Sequence, residues 1–455
     1  MKQVIAFGTD GIRGPAHEYP FTTTSLQKLG KALGLWAIKK YAKQKPQFLL
    51  ASDTRESCPR IKAAVRVGLE QVGVKVIDAG VVPTPAVFQL IHHVAHEQQP
   101  FDAGVMVSAS HNPYHDNGLK IFDARDCKLT KKDEQEIVDY FNAMDDEVDF
   151  VISDIQIASW AQAGPEYGNL VASFFPHNFL AGITVVLDCA HGATYQLAPM
   201  IFEKFGAKVV LLHAAPTGTN INHGCGALHP QTLQAEVVRL GAHAGFAFDG
   251  DGDRVIAVNR FGVVKDGDDV LSLLLRLPRY ALSKQVVGTV MTNSGFEHSM
   301  QQAGVQLIRT PVGDKYVSAM MEECDILLGG ETSGHIIVKD YSRTGDGIFV
   351  ALKILESMLT TQNWDMASPE KYPQVLVNVP VEHKRNLADQ PFARIIQQYE
   401  QELQKGRILV RYSGTENLLR VMIEAATNER ALSFAQRLAT ALQQALSTEG
   451  FYENC

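Results

Sequence analysis

Ile183-Thr184-Val185-Val186-Leu187-Asp188 is an apolar, β-branched run that stops at a carboxylate. A short run of this kind, bounded by polar residues, reads as a buried strand. A loop follows it, then a helical pattern opening near Leu197, then a second apolar run, Lys208-Val209-Val210-Leu211-Leu212. Strand, helix and strand in that order make a βαβ unit, and such units build mostly parallel sheets. The same grammar occurs twice more. Gln47-Phe48-Leu49-Leu50-Ala51 enters Ser52-Asp53-Thr54-Arg55, with a helix expected over 61–72 and a strand over 74–78. Further on, a strand is expected over 286–291, a helix over 298–303 and a strand over 305–308. Three stretches with one pattern read as structural repeats.

The C-terminal part reads differently. A strand is expected over 407–411, a loop over 412–417 and a second strand over 418–424, where Leu419, Val421 and Ile423 alternate with Arg420, Met422 and Glu424. That period of two marks a half-buried strand. An amphipathic helix over 429–446, capped by Thr427 or Asn428, completes a smaller α+β unit. The polar stretch 362–372, which holds Pro369, is the expected boundary before it.

Bulk properties narrow the function. At 455 residues the chain exceeds one ordinary core. Its net charge of -8 argues against indiscriminate binding to nucleic acid or an anionic membrane. No apolar stretch approaches the roughly 18 residues of a membrane span, and the opening residues 1–8 lack a signal-type apolar run. Six cysteines form no CxxC pair. A cytoplasmic protein with reduced thiols is therefore expected.

Five segments can carry chemistry. Asp249-Gly250-Asp251-Gly252-Asp253-Arg254 follows the apolar run Ala244-Gly245-Phe246-Ala247-Phe248. Two glycines let the backbone curl so that three carboxylates converge, and converged carboxylates call for a cation. Few hard oxygen ligands suit Mg²⁺ completed by a phosphate oxygen. A calcium EF-hand fails, because Arg254 stands at the sixth position and Arg260 at the twelfth. In Val107-Ser108-Ala109-Ser110-His111-Asn112-Pro113 a strand runs into hydroxyls at a sheet edge, where open α/β sheets bind ligands. By itself a Ser-His pair is equally a turn, and no G-x-S-x-G elbow supports acyl transfer. Arg411-Tyr412-Ser413-Gly414-Thr415-Glu416-Asn417, with Arg420 beyond, sets two guanidiniums around a glycine-bearing loop suited to phosphate. Glu331-Thr332-Ser333-Gly334-His335 offers groups for sugar hydroxyls and a proton carrier, and Arg13 lies in the glycine-rich Phe7–Gly14 segment.

Taken in series, SASHNP, DGDGDR, GETSGH and RYSGTE resemble the phosphohexose mutase family (the phosphoglucomutase/phosphomannomutase superfamily) from Phe7 to Glu424. FGTDGIRG, Asp116-Asn117-Gly118-Leu119-Lys120, DCAHGATY at 188–195 and Asn220-Ile221-Asn222 are similar to its phosphoglucosamine branch. The resemblance implies four domains around a central cleft: three α/β domains with mixed, mostly parallel sheets, over 1–155, 156–256 and 257–368, then an α+β phosphate-binding domain over 369–455. It implies that Ser110 is a phosphoserine and that Ser110 phosphate, Asp249, Asp251 and Asp253 hold one Mg²⁺ per subunit. Arg13, His111, Lys120 and Arg254 are expected around that centre. Glu331, Ser333 and His335 are expected to grip the sugar, and Arg411, Ser413, Gly414, Thr415 and Arg420 the distal phosphate.

The implied reaction moves a phosphoryl group within a phosphorylated hexose or hexosamine through a hexose bisphosphate, which is also the activator. Lys120, made neutral beside Arg13, or His335 is the expected base. The chain is expected to be a monomer or homodimer. His191, Cys58 and Asn417 stand where the family commonly has Asn, Gly and Pro. A metal-dependent phosphatase or a sugar-phosphate sensor would use subsets of these parts.

Overall fold

The computed structural model describes residues 5–8, 11–96, 99–144, 158–403, 405–413 and 417–448. The chain forms two compact units, Met1–Thr289 with Thr310–Ala367, and Val290–Arg309 with Ser368–Cys455.

In the first unit, strands Gln47–Ser52, Lys75–Val81 and Ala103–Val107 run parallel, with Gln47–Ser52 in the middle. Strand Asp116–Asp123 pairs antiparallel with Ala103–Val107, and Ile12–Pro15 pairs antiparallel with Asp116–Asp123. The sheet is thus mixed, with a parallel centre. A second sheet repeats this plan. Thr184–Asp188 lies between Lys208–Leu212 and Ala244–Phe248, both parallel to it, and Val255–Asn259 closes antiparallel. In a third, Gln285–Thr289 pairs parallel with Leu328–Gly330, which pairs antiparallel with Ile336–Val338. Central strands with both faces covered need apolar side chains throughout, and all five residues of both Ala103–Val107 and Ala244–Phe248 are buried.

The elements match the expected order, with shifted ends. The first crossover helix spans Cys58–Gln71, starting earlier than the apolar period because Pro59 occupies its first turn. Strand Lys75–Val81 runs past the expected end at Asp78, its pairing shifted by an irregularity opposite Leu50 and Ala51. The helix expected over 298–303 begins at Ser294, because Asn293 caps it by accepting from the Gly295 amide. Helix Thr23–Tyr41 lies tight against Cys58–Gln71: a Cβ at Gly68 would stand 1.9 Å from the Gln27 carbonyl oxygen. Such backbone contact leaves room only for hydrogen.

The second unit holds an antiparallel sheet in the order Gln374–Pro380, Leu418–Ala425, Gly406–Tyr412, with helices Phe392–Leu403 and Asn428–Thr448. Leu419, Val421 and Ile423 are buried against Ala431, Leu438 and Leu442 of the last helix, as the alternation predicts, but Met422 and Glu424 on the opposite face are buried as well, so the second half of the strand is covered on both sides. The Arg430 amide donates to Thr427 Oγ1, making Thr427 the helix cap. Among the described residues no helix is long and apolar enough to cross a membrane. Cys58, Cys189, Cys225 and Cys324 are all unbridged thiols.

Candidate active site

Both parallel sheets end on loops that carry polar groups, which is where open α/β sheets place their chemistry. From the first sheet come Asp53, after Ser52, and the 108–113 loop, after Val107. From the second comes Asp249, after Phe248. Ser110 is fully buried and its Oγ donates to Asp249 Oδ2 at 2.6 Å. The sequence therefore pointed to two loops 139 residues apart that meet at one hydrogen bond.

Asp249, Asp251 and Asp253 present carboxylate oxygens within 4.8 Å of one another, all buried. Asp249 is held through both oxygens, Asp251 and Asp253 through Oδ2. Asp249 Oδ1 accepts from the Arg254 amide at 3.1 Å. Asp251 Oδ2 accepts from the Thr84 hydroxyl and pairs with Lys120 Nζ at 2.8 Å, and Lys120 reaches Asp253 Oδ2 at 2.7 Å. Asp251 Oδ1 is buried with no hydrogen-bond partner, an arrangement that costs free energy unless something satisfies it. Burial, and then the Asp253 and Asp251 carboxylates, push the Asp249 carboxyl up to about 8. Three converged acids of this kind fit a hard divalent cation.

Lys120 Nζ lies between the Asp251 and Asp253 carboxylates, at 2.8 and 2.7 Å. Arg13 lies on strand Ile12–Pro15, directly paired with Gly118. Its charge, together with that of Arg254 and after the larger effect of burial, lowers the neighbouring His111 imidazole to about 3. His111 is therefore neutral, with Nδ1 3.3 Å from Ser110 Oγ.

His335 faces Asp253, with Nδ1 3.6 Å from its Oδ1, and its Nε2 accepts from the Gly345 amide at 3.0 Å. Burial works to lower its pKa, and Asp253, Asp314 and Glu331 outweigh it, so the ring is raised above its ordinary value. The ring thus stands at ion-pair range from the Asp253 carboxylate, with Nε2 bound to the backbone. Glu331 lies close enough to Arg254 to act on its charge, and one of its oxygens accepts from the Gly313 amide at 3.0 Å. Ser333 sits in the turn between Leu328–Gly330 and Ile336–Val338.

Several supporting residues carried no sequence signal. Gly347, at the start of helix Gly347–Thr361, donates its amide to the Gly252 carbonyl at 3.0 Å, and a Cβ there would stand 2.6 Å from the Arg254 oxygen. Asp346 caps that helix through the Phe349 amide. The tripeptide Gly345-Asp346-Gly347 thus backs the carboxylate loop, and its close-packed glycines were the available clue. His191 has φ +49, a region where Asn is also at home, and its ring packs edge-on against His213. Cys58 donates its thiol to Asp53 Oδ1 at 3.2 Å. Burial and the Asp53 charge hold that thiol well above its ordinary pKa, so it stays a donor.

In the second unit, Arg411 and Arg420 are direct cross-strand partners. Like charges so placed repel, and burial followed by Arg420 lowers the pKa of Arg411. Lys384 Nζ donates to the Ser413 carbonyl at 2.7 Å, bringing a third cation to the loop. The repulsion makes this a receptive place for an anion. Gly414 and Thr415 lie outside the described residues.

Comparison with known proteins gives one consistent result. Four segments match the phosphoglucomutase/phosphomannomutase domains: alpha/beta/alpha domain I at 4–147, domain II at 167–262, domain III at 266–372 and the C-terminal domain at 376–441. A phosphoglucosamine mutase of Aeromonas hydrophila subsp. hydrophila is 40% identical over 454 residues, covering 96% of this chain and 99% of that protein. A phosphoglucomutase/phosphomannomutase family protein of Burkholderia thailandensis shares the fold, with TM-score 0.78 at 21% identity over 96% of this chain and 97% of that one. An Aspergillus fumigatus N-acetylphosphoglucosamine mutase, solved with GlcNAc-6P and magnesium, superposes with TM-score 0.67 at 18% identity, over 98% and 96% of the two chains.

Proposed function

The chain belongs to the phosphoglucomutase/phosphomannomutase family, and from that premise we propose that it interconverts glucosamine 6-phosphate and glucosamine 1-phosphate. The observation that carries the reading is Ser110: a buried hydroxyl 2.6 Å from Asp249, beside a converged acidic trio.

In this reading Ser110 carries the phosphoryl group. The Ser110 Oγ–P bond breaks as a free sugar hydroxyl forms its own O–P bond, and the hydroxyl proton passes to a base. The product is a hexose bisphosphate. After the sugar reorients, its other phosphate gives its phosphoryl group to Ser110 Oγ, restoring the phosphoserine and releasing the isomer. The same bisphosphate, supplied from outside, charges an unphosphorylated enzyme.

Asp249, Asp251 and Asp253 would hold Mg²⁺, which would supply positive charge to the oxygens of the transferring phosphoryl group. Arg254 and Arg13 would add fixed positive charge around the same point. Their effect is largest where water is excluded. Lys120, within reach of two carboxylates, is placed to hold a proton or pass it on. His111 would orient Ser110, and His335 would stand against Asp253. Glu331 and Ser333 would grip sugar hydroxyls. Arg411, Ser413, Gly414, Thr415 and Arg420 would hold whichever phosphate is not reacting, a task that requires one clamp able to accept both ends of the sugar.

Incubation of the protein with glucosamine 1-phosphate, Mg²⁺ and a hexose bisphosphate tests the proposal. Glucosamine 6-phosphate should form, and Ser110→Ala should abolish both turnover and the ~80 Da added by one phosphoryl group. Release of inorganic phosphate in place of the isomer would make the protein a phosphatase. Faster conversion of mannose or glucose 1-phosphate would overturn the sugar assignment.

A further inference from the structure

Ser110 has φ +54, the left-handed region that non-glycine residues rarely occupy. A residue persists there only when its surroundings leave it no alternative. What surrounds it is specific. The carbonyl oxygens of Ser110 and Asn112 each accept two hydrogen bonds, and the same two side chains supply them. Arg55 Nη2 reaches Ser110 O and Asn112 O, both at 2.9 Å. Asn222 Nδ2 reaches the same two oxygens at 2.9 and 3.0 Å.

Arg55 is buried. Its other amine, Nη1, donates to the carbonyls of Pro113 and Asp116, so one guanidinium binds four backbone oxygens of a single loop. Its Nε pairs with Asp53 Oδ2 at 2.9 Å. That oxygen also accepts from Ser108 Oγ at 2.6 Å, and Ser108 Oγ accepts from the Ser110 amide at 2.9 Å. The amide and the carbonyl of Ser110 are therefore both tied, directly or through one hydroxyl, to the Asp53–Arg55 pair.

Asn222 arrives from the other side. It follows the second sheet, has φ +59, and its amide donates to the Ala190 carbonyl at 2.9 Å. A Cβ at Gly250 would stand 2.6 Å from the Ser110 oxygen and 2.7 Å from Asn222 Nδ2. The serine loop, Asn222 and the acidic loop thus meet at backbone contact.

We propose that Arg55 and Asn222 are a paired positioning clamp for phosphoryl transfer, holding the left-handed Ser110 backbone so that its Oγ points at the Asp249–Asp253 trio. The clamp rests on the phosphoserine reading of Ser110. It ties the serine loop of the first sheet to the Asn222 loop, which follows strand Lys208–Leu212 of the second sheet and packs against Gly250 of the acidic loop. Both residues act through backbone carbonyls of the serine loop, so the clamp acts on the rate of transfer and leaves substrate affinity alone.

Asn222→Ala, Asn222→Asp and Arg55→Lys test the clamp in the full-length enzyme, with glucosamine 1-phosphate as substrate and Ser110→Ala alongside. Asn222→Asp keeps the shape and removes the donor; Arg55→Lys keeps the charge and removes the fork. Loss of aim by a fraction of an ångström to one ångström should lower kcat by about 10- to 100-fold, with KM within about threefold. The fraction of Ser110 phosphorylated by added bisphosphate, read by intact mass, should fall in parallel. Arg55→Lys combined with Asn222→Ala should lose less than the product of the two single losses, because both act on the same two oxygens. Should Arg55→Lys fail to fold, the half-buried Asn222 decides. An Asn222→Ala enzyme with kcat within threefold of wild type, or a loss seen only in KM, overturns the clamp while Ser110→Ala remains inactive. If Ser110→Ala is itself active, the phosphoserine reading falls and takes the clamp with it.

Discussion

Replacing Gly192 by alanine should damage the acidic loop without touching any charged group. Gly192 lies in the turn after strand Thr184–Asp188, where an added Cβ would stand 2.3 Å from the Gly250 oxygen, 2.7 Å from its Cα and 2.8 Å from its carbonyl carbon. All three are backbone atoms, so no side chain can swing away. Ordinary contact begins at 3.4 Å, so Gly250 must retreat by about 1 Å, a displacement that in an active site typically lowers turnover ~100-fold. Gly250 lies between Asp249 and Asp251, and Ala193 donates its amide to the Gly250 oxygen at 2.8 Å, so the shift is passed straight to the carboxylates. Overpacking of this kind also destabilises by about 1–3 kcal/mol. Urea unfolding and mutase turnover read the two effects. Gly182→Ala is the control: Gly182 has φ +82 with nothing within 4 Å of its Cβ. It should cost about 1 kcal/mol through backbone conformation and leave turnover unchanged. A Gly192→Ala enzyme with wild-type turnover would refute the claim that the 192–250 contact sets the carboxylate geometry.

Asp346→Asn should alter the dependence of stability on pH. Burial raises the Asp346 carboxyl from 3.8 to about 6. The folded state thus holds this proton more tightly than the unfolded state. The resulting stabilisation is complete below pH 3.8 and is lost as pH rises through about 6, a change of up to about 3 kcal/mol. The asparagine variant should therefore gain stability relative to wild type between pH 4 and 7, and a flat or reversed difference in unfolding free energy would contradict this. Arg411→Ala and Arg420→Ala should each raise KM for glucosamine 1-phosphate by about 10- to 100-fold, the worth of a charge-assisted hydrogen bond, with a smaller change in kcat. Unchanged KM in both variants would remove the distal clamp from the proposal.

Much of this molecule was readable along the chain because the deciding interactions are local. Strand and helix periods in 183–212 follow from which side chains face a core, and they specified the βαβ order that the structure has. The DGDGDR spacing is likewise local: three acids and two glycines within five residues can only crowd together, and they do. Element ends were less legible, since Pro59 sets one helix start through its fixed φ and missing N–H and Asn293 another through a single side-chain bond to an amide, neither of which periodicity registers.

Tertiary structure alone decided how those local parts act. Lys120 read as a base beside an arginine, and only the fold showed its ammonium between two carboxylates more than 130 residues away. Thr84 and Gly347 hold the acidic loop through backbone and hydroxyl contacts, which any sequence could accept and no motif announces. Arg55 and Asn222 are the sharpest case, because their partners are main-chain carbonyls of Ser110 and Asn112. A side chain that binds a carbonyl leaves no matching residue type at the other end. Chemistry carried by the side chains themselves was therefore written in the sequence, while the aim of that chemistry rests on backbone groups that every residue shares.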